Sequence, residues 1–83
     1  MFLKVDSVTH LREYELRIQF NNGIVKDVEL GCELYGELEA LRDPRVFAGV
    51  RVNPRTGTIE WANGADFSPE FLFDVGQSVR PAA

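Results

Sequence analysis

The densest set of residues able to do chemistry is the run Trp61-Ala62-Asn63-Gly64-Ala65-Asp66, followed at once by Phe67-Ser68-Pro69-Glu70. A helix beginning at Ser68 presents free amides and the positive end of its dipole. Trp61, Asn63, Gly64 and Asp66 at its mouth therefore have the composition of an anion or peptide-terminus site. The same residues carry a purely structural reading, in which Asn63-Gly64 turns the chain, Asp66 accepts backbone amides and Trp61 fills the core. The carboxylates of Asp66 and Glu70 oppose an anion at this place. Spaced four apart across a helix start, those two could instead share a divalent cation, which defines a small metal-dependent enzyme as one function class; two oxygen ligands are a thin set for it. Elsewhere His10 has no Cys, Ser or acid at a diagnostic spacing, Cys32 lacks a nearby base, and Ser68 is better explained as a helix cap than as a nucleophile. The expectation is a non-enzymatic chain with no catalytic residue, no metal site and no cofactor.

A second group is the arginines. Arg42, Arg45, Arg51 and Arg55 fall in a stretch with one acid, Asp43, while Asp27, Glu29, Glu33, Glu37 and Glu39 precede them with no base between. Such a bipolar layout suits an oriented protein partner, and it is equally the pattern of a solvated exterior whose charges pair locally. If the four arginines converge, they make a nucleic-acid contact. Against that stands the total: nine basic and thirteen acidic residues give a net charge of −4 and a pI near 4.8, a poor match to phosphate backbones.

The elements that must position these residues begin as strands. Tyr14, Leu16, Ile18 and Phe20 alternate with Glu13, Glu15, Arg17 and Gln19, the period of two of a half-buried strand. A three-residue loop at Asn21-Asn22-Gly23, with Gly23 in the left-handed bulge position, pairs Phe20 with Ile24, Leu16 with Val28 and Tyr14 with Leu30. That register sets Arg17 opposite Asp27 and leaves Lys26 opposite Ile18, its stem snorkelling. A two-residue turn would instead place two carboxylates on the core face. Phe2 to Val8 reads as a further strand, with His10 in the connecting turn. Leu34, Leu38 and Leu41, with Tyr35 beside them, have helical spacing, weakened by Gly36. Asp43-Pro44 starts one helical turn that carries Val46 and Phe47 inward. Val50 and Val52 face Trp61 and Ile59 in a second hairpin, which sets Arg51 opposite Glu60. The last helix starts with Ser68 as cap, Pro69 at its first position and Phe67 and Leu72 as a hydrophobic staple, and it buries Phe71, Leu72 and Val75.

The order β-β-β-α-β-β-α without strict alternation predicts an α+β fold, an antiparallel sheet of about five strands with two short helices on one face. One domain is expected over residues 1–75, with 76–83 as a loose tail. The amino terminus has no signal-peptide core, no apolar run reaches the roughly 18 residues of a membrane span, and a lone free Cys32 fits a reducing compartment, so the expected location is the cytoplasm. A domain this small gains stability by oligomerising, and an uncovered strand offers a route to a homodimer through a sheet edge.

The run Leu41-Arg42-Asp43-Pro44 with Phe47, the hairpin end Gly57-Thr58-Ile59-Glu60-Trp61, and Asn63-Gly64-Ala65-Asp66-Phe67-Ser68-Pro69-Glu70-Phe71-Leu72-Phe73 together resemble a small bacterial family, domain-of-unknown-function family 2442. The amino-terminal hairpin, its Asn-Gly turn and Val28-Glu29-Leu30 fit as well, so the resemblance covers nearly the whole chain. In the family the residue after the Trp is usually Pro, where this chain has Ala62. Some members append a helix-turn-helix domain that these 83 residues do not reach. Members are often encoded beside a second small protein in toxin–antitoxin-like arrangements. The resemblance therefore implies a non-catalytic protein-interaction module, an antitoxin-like or regulatory partner of the product of an adjacent gene. A nucleic-acid-associated regulator using Arg42 to Arg55 is the alternative.

Overall fold

The computed structural model describes residues 2–79. In chain order it has β1 (Val5–Arg12), β2 (Glu15–Phe20), β3 (Val25–Glu29), two 3₁₀ segments (Gly31–Glu33 and Gly36–Arg42), α1 (Pro44–Phe47), β4 (Arg51–Asn53), β5 (Thr58–Glu60), α2 (Pro69–Val75) and β6 (Gln77–Ser78). All strand pairs are antiparallel. The architecture is α+β, as the element order predicts. The strands do not form a single five-stranded layer: β1-β2-β3-β6 make one sheet and β4-β5 a separate ribbon.

The β2–β3 register is the one that keeps carboxylates out of the core. Leu16 faces Val28, Arg17 faces Asp27 and Ile18 faces Lys26, with Gly23 at φ 85° closing the turn. Lys26, the one misfit on the inward side, sends its ammonium over the Phe73 ring, 3.6 Å from the centroid, and donates to the Phe73 carbonyl. The cation thus satisfies a carbonyl near the C-terminal end of α2 and ties that helix to β3.

Four expectations are corrected. The first strand runs on to Arg12, so His10 lies within β1 opposite Leu16, its ring edge-on to Phe47, rather than in the turn. The turn falls instead at Glu13, at φ 39°. The Leu34–Leu41 segment is 3₁₀ rather than α-helical, because Gly36 sits at φ 61° and Tyr35 supplies no side-chain cap; Leu34 and Leu41 are still buried, whereas Tyr35 is 70% exposed. Val46 and Val75 face outward, since one-turn α1 spends its core contact on Phe47, and α2 packs through Leu72 and the partly buried Phe71 and Phe73. Finally, residues 77–79 of the expected loose tail are tied down: Gln77–Ser78 pair with β3, and the Val79 amide donates to the Val25 carbonyl. Residues 80–83 of that tail lie outside the described residues.

One core fills the inward face of the main sheet, where Leu16, Ile18, Phe20 and Val28 meet Leu30, Leu34, Leu41, Phe47, Ile59, Trp61, Phe67 and Leu72. Each such side chain contributes about 1.5–3 kcal/mol of hydrophobic stabilisation. No helix among the described residues is long and apolar enough to cross a membrane.

Candidate functional site

The Trp61–Asp66 corner is built as a closed turn. The Gly64 amide donates to the Trp61 carbonyl at 2.9 Å and the Trp61 amide to the Ala65 carbonyl at 3.0 Å. Asn63 Oδ1 accepts from the Ala65 amide, and Gly64 takes φ 90°, where a Cβ would be strained. Glu60 and Asp66 close the loop as an isolated antiparallel bridge. Trp61 is 1% exposed, packed tilted against Phe47 and edge-on to Phe67, and its indole N–H donates to the Phe47 carbonyl at 2.8 Å. Of the two readings of this corner, the structural one accounts for Trp61, Asn63 and Gly64. It differs in one detail: the turn amide is accepted by Asn63, while the Asp66 carboxylate makes no hydrogen bond among the described residues.

Asp66 lines a shallow depression with Glu37, Leu38, Asn63, Gly64 and Ala65. Two carboxylates at its rim make it unsuited to an anion. The start of α2 offers little more, because Ser68 Oγ already accepts from the Phe71 amide. Glu70 is exposed on that first turn, and no group of three or more His, Cys, Asp or Glu able to hold a metal occurs among the described residues.

The four arginines have unequal freedom. Arg42 Nη1 donates to the Leu34 carbonyl, and its own carbonyl accepts from the Tyr14 hydroxyl. Arg51 pairs with Glu60 at 3.1 Å, and Asn53 Nδ2 holds the other Glu60 oxygen at 2.7 Å. These two donors, Asn53 first, hold the Glu60 carboxyl below its ordinary pKa. Arg45 lies 3.7 Å from Asp43 with its side chain 93% exposed. Arg55 is exposed in the β4–β5 turn and has no ion pair among the described residues. Arg55 is thus the unpaired member of the set, and Arg45 stays almost fully exposed in its pair with Asp43.

What the sequence reading did not single out is the outward side of the main sheet. Ser7, Thr9, Arg17, Gln19, Asp27 and Glu29 occupy it, and no helix among the described residues covers them: the molecule is 18 Å in its thinnest dimension, enough for the sheet and one layer beneath. At its centre Arg17 grips Asp27 through Nε at 2.8 Å and Nη2 at 3.1 Å. The hydrogen bonds from Arg17, ahead of its charge, pull the Asp27 carboxyl below the usual range. Beside it Arg12 pairs with Glu15 at 3.3 Å, and Glu15 stands directly opposite Glu29. The signal available in the sequence was the polar half of the β2 alternation, which reads as solvent-facing whether or not anything docks there.

Fold and surface together define a small antiparallel α+β domain with one sheet face bare and its polar corner used as a turn. The chain belongs to the DUF2442 family, proteins of unknown function, whose sequence profile matches residues 5–76. No curated protein matches it. A crystal structure of NE0471 from Nitrosomonas europaea ATCC 19718, named a candidate DNA-binding protein, is similar to it with a TM-score of 0.79 and 28% identity. The likeness covers 90% of this chain and 49% of that one, so the chain spans about half the length of NE0471.

Proposed function

We propose that the chain is a non-catalytic, cytoplasmic protein-interaction module, an antitoxin-like or regulatory partner of a second small bacterial protein. The observation that carries this reading is the uncovered main sheet: a face of mixed, locally paired charge, bounded by β1 as an unpaired edge. Mixed polar surfaces of this kind specify a partner by charge complementarity. Elsewhere on the surface Tyr35 and Phe2, 70% and 85% exposed, are aromatic residues of the type that interfaces enrich. Co-expression of the chain with the product of the adjacent gene tests the reading. The expected result is that the second protein co-purifies through an affinity tag and a sizing column; purification of the tagged chain alone contradicts it.

A nucleic-acid-associated regulator is the second reading, favoured by the name of NE0471. It has to work through Arg45 and Arg55, since Arg42 and Arg51 are held by internal contacts. Titration with mixed DNA and RNA at low salt separates the two. The interaction module predicts no binding, and the regulator predicts binding that weakens steeply as salt rises.

A further inference from the structure

We infer that the free edge of β1 pairs with β1 of a second copy of the chain, antiparallel about a two-fold axis near Thr9. The inference rests on the reading of the main sheet as an interaction surface and names the occupant of its edge, leaving the outward face for the second protein.

β1 is eight residues long and stands at the end of the sheet order. Only its first amide is occupied on the open side, the Val5 N–H donating to the Gly57 carbonyl at 2.8 Å at the tip of the β4–β5 ribbon. From Asp6 to Arg12 the backbone makes no hydrogen bond beyond β2 among the described residues, although the β4–β5 ribbon packs close to β1. The regular part of such an edge is a template for strand addition. Two irregularities, at Asp6 and Leu11, bound a regular stretch Ser7–His10 that pairs normally with β2.

The choice of a second copy over another strand comes from charge. Asp6 stands near one end of β1 and Arg12 at the other, both exposed. Asp6 has no ion pair among the described residues, and Arg12, paired with Glu15, keeps 79% of its side chain exposed. Antiparallel self-pairing brings the Asp6 end of each copy against the Arg12 end of the other, so two opposite-charge pairs form by symmetry. Centred at Thr9, the pairing sets the two Thr9 side chains opposite each other and places Val8 against His10 on the inward side, so side chains of like environment meet. Parallel pairing would oppose like charges. A two-fold contact of this kind closes on itself and does not propagate.

Charge exchange tests this directly. Sedimentation equilibrium of the wild-type chain is expected to show a dimer, and Asp6→Arg or Arg12→Asp alone to raise its dissociation constant at least about tenfold. Each single variant faces its own kind across the axis, whereas an equimolar mixture of the two restores both opposite-charge pairs and is expected to dimerise as well as wild type. Circular dichroism checks that each variant is folded. Should Arg12→Asp fail to fold, Thr9→Cys in a Cys32→Ser background gives a second readout, since residues opposed across paired strands lie within disulfide reach; a disulfide-linked dimer under mild oxidation is expected. A monomeric wild type up to about 1 mM, single variants that dimerise like the wild type, a mixture that stays monomeric, or no crosslink overturns the inference. Dimerisation and capture of the second protein are read separately, so loss of one leaves the other standing.

Discussion

The Trp61 indole N–H has one acceptor, the Phe47 carbonyl, and the ring fills space between Phe47 and Phe67. Trp61→Phe removes the donor, leaves the Phe47 carbonyl with only the Val50 amide at 3.3 Å and opens a void, so urea unfolding followed by circular dichroism is expected to show a loss of about 2–4 kcal/mol. A ligand-binding Trp on an open surface would tolerate the same change. On the outward face, Asp27 titrates below the ordinary carboxylate range because Arg17 donates to it. A lowered folded-state pKa stabilises the fold above the unfolded value of about 4, and that contribution disappears as pH falls through the lower folded value. Stability measured from pH 6 downward is thus expected to fall less steeply below about pH 4 in Asp27→Asn than in wild type. These roles were unevenly legible. The Arg17–Asp27 and Arg51–Glu60 pairs follow from strand register, which hydrophobic alternation determines. The indole acceptor does not, since α1 and β5 meet only through the tertiary fold.

Among the elements, α2 was the most readable, because Ser68, Pro69 and the Phe67/Leu72 staple each act within one turn of the chain. Ser68→Ala is expected to cost about 1 kcal/mol in thermal or urea unfolding and Ser68→Gly only a few tenths, since glycine is itself an adequate cap. The turn after β5 gives a change of opposite sign. The Gly64 amide bonds to the Trp61 carbonyl, placing Ala62 second in a four-residue turn, where proline's fixed φ fits. Ala62→Pro, the residue usual in the family, is expected to stabilise the chain by about 0.4–1 kcal/mol, read as a higher melting temperature. The segment from Leu34 to Leu41 was misread because leucine spacing serves a 3₁₀ segment with a left-handed glycine almost as well as an α-helix. β6 was missed because two residues carry no period; its existence depends on the open side of β3 and on α2 delivering the chain there. For the same reason the split into two sheets was invisible: strand order is set by packing between distant segments, while each hairpin is local.

For the whole molecule, the net charge of −4 describes the surface poorly. The acids between Asp27 and Glu39 and the arginines between Arg42 and Arg55 are partly tied to neighbours, and what remains open is a sheet face of paired charges with a free strand beside it. The candidate corner that the sequence advertised most strongly is a turn whose polar groups are largely satisfied. The surface that stands uncovered reads in sequence only as the wet half of a strand. The fold is shared with about half of NE0471. The most direct measurement is multi-angle light scattering on a sizing column, applied to an equimolar mixture of the purified chain and the purified product of the adjacent gene. The account predicts one peak whose mass is that of the complex; two peaks at the masses of the separate proteins, at concentrations of tens of micromolar, contradict it.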